Sequence, residues 1–198
     1  MFYLLVLVAA IARFLPHPPN VHCICALGLI AGVYVPRRGA WLLPMAVLLV
    51  SDAIGHWTGY PGLGFYSPIT MAAVYAGMAA SVPIGRWVRR PRSVGTGPAT
   101  TIGRWWHVPA ASLSASTAFF VVSNLGVFLS GWYSMSLGGL AACYVAAIPF
   151  FGYSIVGDLA FSTLMFVVME RSRVAATLRR IAGVASGDDA APSSHPAS

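Results

Sequence analysis

Two carboxylates, Asp52 and Asp158, lie inside long apolar segments, and they are two of only five acidic residues in the chain. An ionisable side chain at the centre of a membrane helix costs at least ~2.5 kcal/mol. Acids kept at such positions point to a polar pocket or pathway. Asn124 adds an amide in the middle of a third apolar segment, where an unsatisfied polar group is also costly. Around these three the sequence places rings that could stack on a small molecule: Trp57, Tyr60 and Tyr66 in one stretch, and Trp132, Tyr133 and Tyr144 in another. His17-Pro18-Pro19-Asn20 is a stiff piece, because two prolines fix φ and favour an extended path. It reads either as a lid edge that presents His17 and Asn20 or as a tight turn between two short helices. Aromatic rings with a few polar groups on one side describe a small-molecule site. The competing reading is an aromatic belt, which enriches Trp and Tyr at both membrane interfaces. The acids also have a structural alternative. Asp52 follows Ser51 and could cap a helix break, while Asp158 could pair with Arg13 or His17 and staple the bundle.

Other chemistries fit less well. Gly157-Asp158 with a distant Asp52 resembles half of an aspartyl dyad, which needs two carboxylates sharing a proton, but Ile155 stands where the G-x-G-D signature has its first glycine. Ser136-Leu137-Gly138-Gly139 would need a helix-borne histidine partner to act as a nucleophile, and His22, His56 and His107 offer none at an evident position. In His22-Cys23-Ile24-Cys25 the two thiols would point about 200° apart on a helix and lack a second ligand pair, so they read as packing residues rather than a metal site. We therefore expect no enzyme activity, no metal and no cofactor. The three cysteines form no paired framework.

The elements that must position these residues follow from composition. The 198 residues are 58% hydrophobic and 9% charged, with a mean hydropathy of +0.74. A soluble domain carries about 25% charge, so the balance describes a multi-pass membrane protein whose first partner is the lipid bilayer. All 12 basic residues are arginine, placed beside apolar segments and not interleaved with aromatics on a soluble face. They speak for membrane topology and anionic headgroups rather than for nucleic acid. The expected fold is all-α, a bundle of about six transmembrane helices: Phe2–Leu15 (a retained first helix, not a cleaved signal), Val21–Val35, Trp41–Trp57, Pro68–Val88, Pro109–Trp132 and Tyr153–Glu170. If these alternate, every arginine except Arg13 falls on one side, and the positive-inside rule puts both termini in the cytoplasm of an inner membrane. Leu137–Phe151 is apolar, yet a crossing there would send the C-terminal arginines outside. It reads as a short or re-entrant outer piece interrupted at Pro149. Residues 1–185 form one transmembrane domain in this reading. The polar stretch 186–198 reads as a disordered cytoplasmic tail.

Several stretches resemble a family of small bacterial membrane proteins of unknown function described as candidate transport proteins. They are Arg13-Phe14-Leu15-Pro16-His17-Pro18-Pro19-Asn20, Ser51-Asp52, Phe119-Phe120-Val121-Val122-Ser123-Asn124, Cys143-Tyr144-Val145-Ala146-Ala147-Ile148-Pro149-Phe150-Phe151 and Gly157-Asp158. The layout is also similar to the substrate-binding S components of energy-coupling-factor transporters. That likeness implies six helices with both ends cytoplasmic, a solute site facing outward, and transmembrane and ATPase partner subunits. Those components meet their partner through an A-x-x-x-A face, a spacing that Ala9, Ala10 and Ala12 lack. Taken with the residues themselves, the expectation is a membrane protein that binds a small solute from the outer side and takes part in its uptake, with Asp52, Asn124, Asp158, His17, Asn20 and the rings named above as the ligand-binding residues.

Overall fold

In the computed structural model, residues 2–15, 24–36, 39–61, 63–89 and 105–187 are described, with side chains from Tyr3 to Ala176. The elements are α1 (Phe2–Ala12), α2 (Ile24–Tyr34), α3 (Gly39–Thr58), α4 (Pro68–Ala79), α5 (Ser81–Val88), α6 (His107–Val127) and α7 (Leu137–Gly187). No strand occurs among the described residues. A π-helical turn, Phe128–Trp132, extends α6 and ends where Gly131 takes φ of 81°. Four helical stretches, 39–58, 68–88, 107–132 and 137–176, are long and apolar enough to cross a membrane. The architecture is thus a helical membrane bundle.

The short helices α1 and α2 have 11 residues each, roughly 16 Å at 1.5 Å per residue, against a hydrocarbon core of about 30 Å. Their positions explain how they persist. Every residue of α2 from Ile24 to Val33 is buried, as expected for a helix that is apolar all round. It forms the axis of the bundle, and its close partner is α5. A Cβ on Gly28 would overlap Ser81 Oγ, one on Gly32 would overlap the Val82 carbonyl, and one on Gly85 would overlap the Leu29 carbonyl. Glycine lets backbone meet backbone at Gly32 and Gly85 and leaves room for the Ser81 side chain at Gly28, a means of helix association that does not depend on hydrophobic contrast with lipid. Gly77 does the same between α4 and α6, where an added Cβ would lie 3.2 Å from Phe119 Cα. By contrast, α1 leaves Tyr3, Leu4, Leu7, Val8 and Ile11 on the outer surface, a face suited to lipid.

Two expectations about continuity are corrected. The segment Leu137–Phe151 is not a separate or re-entrant piece: it is the first part of α7, a single helix of 51 residues, so the last crossing helix begins at Leu137 and not at Tyr153. Pro149 interrupts nothing, because the packing against α6 continues on both sides of it. Phe120 stacks on Phe151 at 4.4 Å and meets Tyr144 edge-on at 5.7 Å. A proline inside a membrane helix is tolerated when neighbouring helices hold the flanking turns. Likewise Asp52 caps no break. Helix α3 runs through it, and Ser51 Oγ donates back to the Val47 and Leu48 carbonyls. At its carboxyl end α3 stops after Thr58, where Gly59 adopts φ of 67°, the left-handed conformation that terminates helices.

Candidate functional site

Chain reversal brings the carboxyl ends of α1 and α3 together with the amino ends of α2 and α4. Arg13, just past the last turn of α1, reaches across to α3 and donates from Nη2 to Asp52 Oδ1 at 2.7 Å. The Tyr75 hydroxyl of α4 donates to Asp52 Oδ2 at 3.0 Å. Both charged side chains are largely buried, 9% and 5% exposed, so the carboxylate is paired in the way that makes burial tolerable. The turn that carries Arg13 is itself held: Tyr60 Oη donates to the Phe14 carbonyl at 2.6 Å, and the Phe14 and Tyr60 rings meet edge-on at 5.7 Å.

Beside this pair lies a cavity of about 300 Å³. Arg13, Asp52 and Tyr66 supply its polar wall, while Leu48, Val74, Met78 and Phe119 supply much of the apolar one. Its size matches the lower end of small-ligand sites, and a mainly apolar lining with few convergent polar groups is their usual character. Cys25 from α2 is part of the wall and also adjoins Asp158 on its far side.

Asp158 is therefore behind the cavity, not in it. It is 1% exposed, and its Oδ2 accepts from Ser116 Oγ of α6 at 2.7 Å. Its Oδ1 accepts no hydrogen bond from a described residue, although the Cys25 thiol lies beside the carboxyl group. Buried hydroxyls continue from here along the α6–α7 seam, with Ser162 Oγ 3.3 Å from Ser112 Oγ. Of the alternative partners for Asp158, Arg13 belongs instead to Asp52, and His17 lies outside the described residues.

The other expected site residues divide. Tyr66 lines the cavity and Tyr60 anchors its rim. Asn124 is outside the cavity wall: its Nδ2 donates to the Phe120 carbonyl of its own helix at 2.8 Å, and its backbone carbonyl meets Cys143 of α7. Tyr144 Oη donates to the Val121 carbonyl at 2.7 Å, outside the cavity. Trp57 and Trp132 are 85% and 72% exposed on the surface of the bundle, where the membrane interface suits an indole. Tyr133 is half-buried and is not part of the cavity wall. His17 and Asn20 lie outside the described residues, as do Arg37, Arg38, His22 and Cys23. The residue the pattern of isolated acids missed is Tyr75. Its sequence signal is a single phenol in an otherwise small and apolar helix, PITMAAVYAGMA. Likewise Gly28-x-x-x-Gly32 in α2 was readable as a close-contact motif.

Fold and site together define a helical membrane protein with a buried ion pair at the edge of a small cavity. The chain belongs to a family of unknown function (DUF6580), which it matches over residues 1–179. No curated protein and no solved structure matches it.

Proposed function

We propose that this protein is a multi-pass inner-membrane protein that binds a small solute from the outer side and takes part in its uptake. The observation that carries the reading is the cavity of about 300 Å³ with the Arg13–Asp52 pair in its wall. A buried ion pair contributes little net stability by itself and is often matched by a well-packed apolar replacement. A charged pair set in the wall of a cavity fits a ligand that reads both charges. The apolar remainder of the wall calls for a solute with a compact hydrocarbon body and one polar end, which would meet Arg13, Asp52 and the Tyr66 hydroxyl. The arginine distribution supports placing this end away from the cytoplasm. The chain carries no nucleotide motif, so energy would come from transmembrane and ATPase partner subunits, or the protein acts alone.

Native mass spectrometry of the purified protein tests this. A small molecule retained by the wild type is expected to be lost in Asp52→Asn and in Val74→Trp, which fills the cavity. Both variants should keep the helical circular-dichroism spectrum. An adduct that persists in both variants contradicts the proposal. A second reading has its own support: Arg13 and Asp52 join α1 to α3, and Ser116 and Asp158 join α6 to α7. In that reading the acids staple helices in a structural or assembly protein, and Asp52→Asn loses folded protein instead of a ligand.

A further inference from the structure

Asp158 is the most deeply buried acid among the described residues. Three helices enclose it: α7, which carries it, α6, which presents Ser116, and α2, which presents Cys25. No arginine or histidine of the described residues pairs with its carboxyl group. The other titratable side chains of these helices are engaged elsewhere. Tyr34 bonds Glu170, Arg173 lies over the Tyr34 ring, His107 packs against Trp87 and Trp106, and Cys143 and Tyr144 bond carbonyls of α6. Tyr153 and Arg171 are exposed. An ionised carboxylate taken out of water with no cation beside it is far more costly than a neutral acid.

The hydrogen bonds point the same way. Ser116 Oγ lies 2.7 Å from Asp158 Oδ2 and 3.0 Å from the Ser112 carbonyl. Both of those oxygens are acceptors if the acid is ionised, and a hydroxyl has one hydrogen to give. Asp158 Oδ1 then has no donor among the described residues. A proton on Oδ2 resolves the arrangement: the carboxyl donates to Ser116 Oγ, and Ser116 donates to the Ser112 carbonyl. Oδ1 is left as a neutral carbonyl oxygen, which costs less to leave unbonded than an anionic one. Asp52 has the opposite surroundings, with the Arg13 guanidinium at 2.7 Å. Cys25 connects the two regions, since it lines the Asp52 cavity and also adjoins the Asp158 carboxyl group.

We propose that Asp158 is a proton-binding site, held as a neutral carboxylic acid in the resting protein, and that its proton exchanges with the cavity past the Cys25 thiol. On release the carboxyl O–H bond breaks, the proton passes to water in the cavity, and the carboxylate keeps the electron pair. The charge left behind is uncompensated among α2, α6 and α7, so the loaded and unloaded states favour different packings of these helices. Acids at membrane depth serve proton relays on this principle. The proposal needs the cavity only as a path for water, so it stands or falls separately from solute binding.

Infrared spectroscopy of the full chain in lipid bilayers reads the proton directly, because a protonated carboxyl has a carbonyl stretch that a carboxylate lacks. With five acids in the chain the region is uncrowded. At neutral pH the wild type is expected to show such a band and Asp158→Asn to lose it. Where Asp158→Asn does not fold, isotope labelling of aspartate carboxyls in the wild type makes the assignment, since the label moves an aspartate band and leaves that of Glu170. Transfer to heavy water should lower the frequency of the band in the folded protein, and Val74→Trp, which fills the cavity, should slow that shift. Exchanging choline chloride for sodium chloride should leave the band in place. A wild type without the band, or with a band that the label does not move, overturns the proposal. So does a band that persists in folded Asp158→Asn, or one that sodium removes, which would make this a cation site. A band that never shifts in heavy water would make Asp158 a fixed structural donor, and a shift undelayed by Val74→Trp would put the route away from the cavity. Either result also overturns it.

Discussion

The Arg13–Asp52 pair is where residue-scale energetics bear most directly on function. Each charge tolerates burial chiefly because the other is 2.7 Å away, with Tyr75 a second donor to the carboxylate, and removing one partner of a buried pair costs about 3–5 kcal/mol. Arg13→Met is therefore expected to destabilise the protein by that amount in chemical denaturation from mixed micelles. The double variant Arg13→Met/Asp52→Leu should recover most of the loss, because two apolar groups of similar size often replace a buried pair at little cost. A double variant as unstable as the single one would mean that the loss comes from other contacts of Arg13 and not from an uncompensated Asp52 charge. The isolated acids were legible in the sequence as costly and purposeful. Their partners were not, because hydrophobic patterning fixes which face of a helix is buried but not which neighbour meets it. Arg13 reaches Asp52 rather than Asp158 because α1 ends beside the last turns of α3, a fact of bundle geometry that no local spacing encodes.

At the scale of elements, the bundle depends on backbone contact between α2 and α5. Gly32→Ala would drive a methyl group into the Val82 carbonyl, a backbone atom that cannot rotate away. Overpacking of this kind costs about 1–3 kcal/mol. Gly152 in α7 meets nothing within 4 Å, so Gly152→Ala should be neutral or stabilise the helix by up to ~1 kcal/mol. Denaturation of the pair of variants under identical conditions checks the contrast, and equal effects would contradict the close α2–α5 crossing. The apolar segments themselves were readable, and α3, α4 with α5, and α6 start and stop within a few residues of where hydropathy and proline placed them. Helix α7 was not. Pro149 and the arginine count together argued for a break, but the seam with α6, from Tyr144 to Ser162, stabilises one continuous helix. The broken-helix reading gave proline the weight it has in water, where a freed carbonyl and a missing donor have no neighbouring helix to make up for them.

The whole molecule has two unlike ends. One holds the ion pair, the small cavity and the Tyr60 and Tyr66 rings. The other gathers Tyr34, Glu170 and Arg173 around an apolar groove. Helix α7 continues past that second end to Gly187. At 1.5 Å per residue its 51 residues span roughly 76 Å, far more than the ~30 Å of a hydrocarbon core. Its last turns therefore project from the bundle. Arg86, over the Trp41 ring, and Arg173 lie at that second end, the same polarity the sequence distribution of arginine argues for. What composition could not supply was the division of labour between the acids. Asp52 faces a cavity, while Asp158 is sealed behind Cys25 and Ser116.

Sidedness is the claim on which uptake from outside depends, and thiol labelling in intact cells measures it directly. With the three native cysteines replaced by alanine, Tyr66→Cys and Arg171→Cys variants are exposed to a membrane-impermeant maleimide. Labelling at position 66 before lysis and at position 171 only after it is the predicted result. The reverse pattern would put the Asp52 cavity on the cytoplasmic face and contradict the account.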